Sequence, residues 1–278
     1  MNIQANLQAD IQAALGIDPR ITDATTARAE IERRVEFIKG VLLESGAKAL
    51  VLGISGGVDS STAGRLCQLA VEQLRGEGHA VKFFAVRLPY KTQADEQDAQ
   101  RALQFIQADA VTTVNIADAV DGMMGNIHID GLLPSAELTD FAKGNVKARS
   151  RMLAQYAIAN FVGGLVVGTD HGAEAVMGFF TKFGDGACDL APLSGLTKGQ
   201  VRLLAQTLGA PEQLVGKAPT ADLEELVPGK LDEVAYGCSY QDIDNYLLGN
   251  PLPAGAMAII EAAYLKTAHK RALPIVPS

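Results

Sequence analysis

Four short apolar runs that alternate with helical stretches constrain this chain more than any other feature. They are residues 49–54 (ALVLGI), 81–86 (VKFFAV), 111–116 (VTTVNI) and 164–169 (GLVVGT). Short apolar runs that alternate with helices predict a parallel sheet covered on both faces. The helices are legible from spacing. Ile31, Val35, Ile38 and Leu42 fall on one face of a helix over 26–43, and further helices are expected over 62–74, 93–107, 137–161, 201–209, 240–248 and 255–269. The 201–209 helix has a stop signal in Gly209 with Pro211 beyond. The expected class is α/β, a three-layer, doubly wound, mostly parallel sheet. In such sheets ligands bind at the carboxyl ends of the strands, so the segments directly after each strand carry the chemistry. Residues 178–197, rich in Gly, Asp and Phe, have no period and are expected to form a functional loop. Residues 216–237 are expected to be irregular. No repeat or linker interrupts the 278 residues, so a single domain over 1–278 is expected.

Composition removes several function classes. A formal net charge of -8 and a pI near 5.1 argue against non-specific binding to nucleic acid or to an anionic membrane. Cys67, Cys188 and Cys238 are scattered, odd in number and without a C-x-x-C, which fits free thiols in a reducing compartment. The first residues, MNIQANLQADIQ, lack the basic and apolar regions of a signal peptide, and no apolar run has the length of a bilayer span. A cytoplasmic location is expected.

The strongest motif is Ser55-Gly56-Gly57-Val58-Asp59-Ser60, placed between a strand and a helix start. Paired glycines let backbone turn tightly and approach a ligand, and the amides of the following helix start face an anion. Ser55 and Ser60 add hydroxyl donors for phosphate oxygens. Asp59 repels phosphate unless a divalent cation lies between them, and magnesium accepts both kinds of oxygen. The run is neither G-x-x-x-x-G-K-[ST] nor G-x-G-x-x-G. A plain strand-to-helix turn capped by Asp59 or Ser60 is the competing explanation.

After ALVLGI, the SGGVDSS loop resembles the pyrophosphate loop of the ATP pyrophosphatase group, whose sheet is adenine nucleotide alpha hydrolase-like. Further segments are similar to ammonia-dependent NAD synthetases: Arg87-Leu88-Pro89-Tyr90, Asn145 with residues 148–152, Gly168-Thr169-Asp170-His171 with Glu174, residues 180–186 with Asp189, Leu196-Thr197-Lys198, residues 219–223, and His269-Lys270-Arg271. The likeness runs through nearly the whole chain. Val58 departs from it, since many relatives carry Gln there.

That resemblance implies roles. ATP would be held by Gly53, Ile54, the loop from Ser55 to Ser60, Arg87 near the adenine, Thr169, Lys198 and Thr220. Asp59 and Glu174 would hold Mg2+, which suits two carboxylates better than zinc does. Deamido-NAD would meet Arg149, Lys182, Asp189, His269 and Lys270, and Asp185 is a candidate for binding or deprotonating ammonium. Each residue has a plainer explanation. Glu174 is a first-turn helix acid; Asn145, Arg149, Met152 and Tyr156 share one helix face that could be a solvated edge; Asp185 marks a turn; Lys198 is a surface charge before a helix; His269 and Lys270 complement a helix end; Cys67 is core. The implied reaction joins ammonia to deamido-NAD through an acyl-adenylate, releasing pyrophosphate and AMP. The implied assembly is a homodimer. An RNA-thiolating relative would want a basic surface and reactive cysteines. A nucleotide sensor would not need both Asp59 and Glu174.

Overall fold

The computed structural model describes residues 3–92, 96–131, 133–221, 223–227 and 229–277. In chain order the elements begin with helices α1 (Ile3–Leu15) and α2 (Ala24–Ser45), strand β1 (Ala49–Gly53), α3 (Val58–Gly76), β2 (Lys82–Arg87), α4 (Glu96–Ile106), β3 (Ala110–Thr113), α5 (Ala117–Gly125) and α6 (Ala136–Val162). They continue with β4 (Gly164–Val166), α7 (Gly172–Met177), α8 (Lys198–Thr207), α9 (Glu212–Val215), β5 (Thr220–Ala221), β6 (Lys230–Leu231), α10 (Asp232–Tyr236), α11 (Tyr240–Leu248), α12 (Ala254–Lys266) and α13 (Ala268–Arg271).

The four long-range strands form one parallel sheet in the order β3-β2-β1-β4, with Val51 opposite Phe84 on one side and Val166 on the other. Side chains alternate across it. Leu50, Leu52, Phe83 and Ala85 face a layer of α2, α3 and α8, where Ile38, Leu66 and Leu204 are fully buried. Val51, Phe84, Val86 and Val166 face α5 and α6 with Val120 and Ala159. Period-two alternation with both faces apolar is what makes the strand sequences continuous hydrophobic runs. A second apolar cluster (Ile11, Val176, Tyr236, Ile243, Tyr246 and Ile260 among its members) ties α1, α7, α11 and α12 together beside the sheet.

The chain winds from β1 outward through β2 to β3, then returns by α5 and α6 to place β4 on the other side of β1. The direction reverses between β1 and β4, and their carboxyl ends therefore open a crevice. The loop after β1 and the segment after β4 both enter it.

Several boundaries differ from the sequence reading. The third strand is Ala110–Thr113 and the fourth Gly164–Val166. Val167 keeps its bond to Val51 O, but Gly168 N donates to Leu190 O at 2.8 Å, so the chain leaves β1 for a new partner. The expected 93–107 helix begins in residues outside those described. Helix α8 starts three residues earlier than its periodicity because Thr197 and Gln200 form a reciprocal cap. The 255–269 helix breaks at Thr267, whose hydroxyl donates back to Ala263 O at 2.7 Å. Residues 216–237 contain the β5–β6 pair and α10. No helix among the described residues is long and apolar enough to cross a membrane.

Candidate active site

The loop after β1 is shaped by two glycines with different tasks. Gly56 has φ +86, a conformation L side chains rarely adopt, and a Cβ there would stand 2.8 Å from the backbone N of Ala99. The loop therefore lies directly against α4. Gly57 is the N-cap of α3 and supplies no side-chain cap, so the first amides of a 19-residue helix are left for an incoming anion. Ser55 Oγ and Ser60 Oγ lie 3.1 Å apart, and Ser55 Oγ accepts from Gly57 N at 3.2 Å, holding the turn closed. Gln155 of α6 accepts from Gly53 N at 2.7 Å and pins the end of β1.

A cavity of about 490 Å³ opens over this loop. Of the residues expected from sequence, Gly53, Ile54, Ser55, Gly57, Val58, Asp59, Ser60, Thr169, Glu174, Asp185, Lys198, Thr220 and Lys270 all line it. Lys198 is not the solvated surface charge that its position before a helix suggests. It is 1% exposed, and its Nζ donates to both oxygens of Asp59 at 2.9 and 2.7 Å. The capping box that starts α8 at Lys198 directs this side chain inward, while Asp244 accepts from the amides of Lys198 and Gly199.

The electrostatics divide the carboxylates. Burial opposes ionisation of Asp59, but Lys198 and then His171 outweigh it and bring the group below the ordinary carboxylate value. For Glu174 the balance is reversed: burial and then the Asp59 charge push it well up, and Lys198 offsets them only in part. Asp170 is raised to about 7 by burial, Asp185 and Asp59, with Lys270 partly offsetting. Burial also raises Asp185, against the bond it accepts from Thr181 N at 2.9 Å. Asp59, Glu174 and His171 place one ligand atom each within 4.8 Å of one another. Asp59 and Glu174 offer hard oxygens to the cavity, the donor type that suits magnesium alongside phosphate.

Six expected residues are elsewhere. Arg87 faces a separate hollow lined by Glu96, Gln100 and Thr113, where it makes a bidentate pair with Glu96 at 3.0 Å per bond. As the last residue of β2 it points to the opposite face from Leu88, and Leu88 is the one that lines the cavity. Arg149, Lys182 and His269 form a linked chain outside the cavity: Arg149 donates to Lys182 O at 3.2 Å, and Lys182 Nζ donates to His269 O. Asp189 accepts from Val166 N at 2.7 Å and receives the Tyr156 hydroxyl at 3.4 Å. On α6, Asn145 turns to the cavity and accepts from Thr181 Oγ1, whereas Arg149 turns outward. Lys270 donates to Gly178 O and Phe180 O, closing the 178–186 loop from the C-terminal side. Gly56 backs onto α4 and Asp222 lies outside the described residues.

The sequence reading gave Arg151, inside the 148–152 segment, no role of its own and missed Gln155, Lys217 and Asp232; all four are on the cavity wall. Asp232 is 7% exposed and accepts from Tyr240 OH at 2.9 Å. No motif marks the last three. Gln155 alone had a signal, since it lies one turn beyond Arg151 on the long helix.

The NAD synthase family model matches residues 30–274. The chain belongs to the NAD synthase family. Within that family it is 59% identical over 276 residues to the NH(3)-dependent NAD(+) synthetase of Ectopseudomonas mendocina (strain ymp), covering 98% of this chain and 100% of that one. The crystal structure of NAD+ synthetase from Burkholderia pseudomallei superposes with a TM-score of 0.84 at 50% identity and 99% coverage of both chains. NMN synthetase from Francisella tularensis superposes at 0.78 with 32% identity, covering 90% of this chain and 98% of that one. The NAD synthase match takes in both arms of the crevice, from the loop at 55–60 to Lys270.

Proposed function

We propose that this NAD synthase is a ligase that amidates deamido-NAD to NAD with free ammonia, driven by ATP. The observation that carries the reading is the convergence on one cavity of the uncapped α3 start, Asp59, Glu174 and Lys198. A carboxylate oxygen of the nicotinate attacks the α-phosphorus, the bond to the bridging oxygen breaks, and pyrophosphate leaves. Ammonia then attacks the acyl carbon of the adenylate and AMP departs. No protein nucleophile is required. The amides of residues 58–60 hold the leaving pyrophosphate, and the Lys198 ammonium offsets the charge that develops on it. Mg2+ held by Asp59 and Glu174 would neutralise the triphosphate and allow a carboxylate and a phosphate to share the same space. Thr169 and Thr220 supply hydroxyls on either side. Asp185, with Asp170 behind it, accepts the proton that ammonium loses; burial raises both carboxyls, Asp170 to about 7.

Deamido-NAD is assigned to Arg149, Lys182, Asp189, His269 and Lys270, which run from the cavity mouth onto the outer face of α6. That face also exposes Leu138 and Leu153. An apolar face of this kind favours burial against a second copy, so we assign it to a homodimer with the dinucleotide beside the interface. The chain acts as a single domain over 1–278. Cys67, Cys188 and Cys238 are free thiols and support a cytoplasmic location.

The test is direct. Pure protein with ATP, Mg2+, ammonium and deamido-NAD is expected to yield NAD and AMP in equal amounts. Nicotinate mononucleotide, supplied in place of deamido-NAD, is expected to turn over poorly, and glutamine in place of ammonium not at all. Sustained turnover with glutamine, or preference for the mononucleotide, would reverse the corresponding assignment.

A further inference from the structure

His171 is 1% exposed and lies behind the cavity wall, in contact with both carboxylates assigned to the cation. It is the N-cap of α7, and its Nδ1 accepts from the backbone N–H of Glu174 at 3.4 Å. A backbone amide can only donate, so Nδ1 carries a lone pair there. The single imidazole proton of the neutral ring is then on Nε2. Nε2 stands 3.5 Å from Asp59 Oδ1 and 3.5 Å from Glu174 Oε2. Lys198 Nζ is 3.4 Å from the same nitrogen; two of its three donors go to Asp59, and the Tyr240 ring, 5.1 Å away, faces the ammonium as well. A ring with its Nδ1 lone pair given to a helix cap and a proton on Nε2 has no lone pair left for a metal. His171 is therefore not the third ligand that its place in the Asp59–His171–Glu174 cluster suggests.

We infer that His171 is a positioning residue: its cap fixes the ring, and its Nε2–H orients Asp59 and Glu174 toward a shared divalent cation while keeping nitrogen out of the coordination sphere. The inference rests on the assignment of Asp59 and Glu174 as the cation's ligands. The sequence separates the two duties of the ring only loosely, but two substitutions divide them. His171→Asn retains a cap acceptor near the Nδ1 position and removes the donor. His171→Gln extends an amide N–H toward the Nε2 position and removes the cap acceptor.

The experiment measures Mn2+ binding to the full chain with the non-cleavable α,β-methylene analogue of ATP, by the loss of the free-Mn2+ EPR signal. Asp59→Asn serves as control and is expected to abolish tight binding; wild-type affinity in that variant would remove the cation assignment itself. With that control in place, His171→Asn is expected to weaken Mn2+ binding by roughly tenfold, the usual effect of losing a partner that orients a ligand. His171→Gln is expected to bind closer to wild type despite a lower melting temperature. Pulsed EPR of the Mn2+ complex with 15N-histidine protein is expected to show no directly bonded nitrogen. Wild-type Mn2+ affinity in His171→Asn, or weaker binding in His171→Gln than in His171→Asn, would overturn the positioning role. A directly bonded 15N would overturn it independently of how either variant folds.

Discussion

Replacing Lys198 by Met removes the cation that keeps Asp59 ionised while leaving the aliphatic stem in place. In the native protein Asp59 titrates below its ordinary value, because Lys198 and His171 overcome its burial. The sign follows from linkage. A carboxylate depressed in the folded state adds stability above its unfolded pKa and loses it as the pH falls through the folded pKa. In Lys198→Met burial is left without its main opponent, so Asp59 rises above its unfolded value. Its contribution is then present at low pH and lost as the pH rises through that new value. The two curves diverge with increasing pH. Breaking a buried pair by deleting one member costs about 3–5 kcal/mol. Asp59 keeps a side chain 20% exposed. It can also take up a proton, so a loss of about 2–3 kcal/mol at pH 8 is expected. For a chain of this size that is roughly 5–10 °C in melting temperature. Melts in EDTA at pH 4.5 and pH 8 test this, with a small gap at the acid end and the full gap at the alkaline end. A gap independent of pH, or one that narrows as the pH rises, would refute the reasoning. Turnover in the same variant is expected to fall by about 10²–10³, the usual effect of losing one fixed donor to developing charge.

Three other outcomes are expected. Gly56→Ala forces φ +86 on a residue with a Cβ and drives that atom to 2.8 Å from Ala99 N. A loss of about 2–4 kcal/mol in stability and a raised KM for ATP are expected, checked by thermal melts and initial rates. Asp185→Asn keeps the acceptor for Thr181 N but not the charge, and is expected to raise the KM for ammonium by roughly tenfold with the KM for ATP unchanged. Arg87→Met is expected to leave the KM for ATP within about twofold while lowering stability by about 1–3 kcal/mol, because Arg87 serves a pair with Glu96 and not the cavity.

The layout of the sheet was legible because both of its faces are buried, which turns each strand into an unbroken apolar run. Strand ends were less so: Val167 and Gly168 are as apolar as β4, yet they pair with Leu190, a choice made by tertiary structure alone. Helix α5 escaped notice because ADAVDGMMG carries two glycines and no amphipathic stripe, and α7 because six residues span less than two turns. At the site, residues inside a motif were found and residues opposite it were not. Ser55 to Ser60 announce themselves by local chemistry. Asp232 reaches the cavity only because β5–β6 and α10 fold across its mouth, and nothing local records that. Arg87 shows how little a sequence says about faces, since one residue of shift along β2 exchanges the cavity face for the opposite one.

The account stands on where the nucleotide's phosphates bind. A crystal structure with α,β-methylene ATP and Mn2+ is the most direct measurement of it. Phosphate oxygens on the amides of residues 58–60, with an anomalous Mn2+ peak between Asp59 and Glu174, are predicted. Phosphates bound in the Arg87 hollow, or a metal peak away from those two carboxylates, would contradict it.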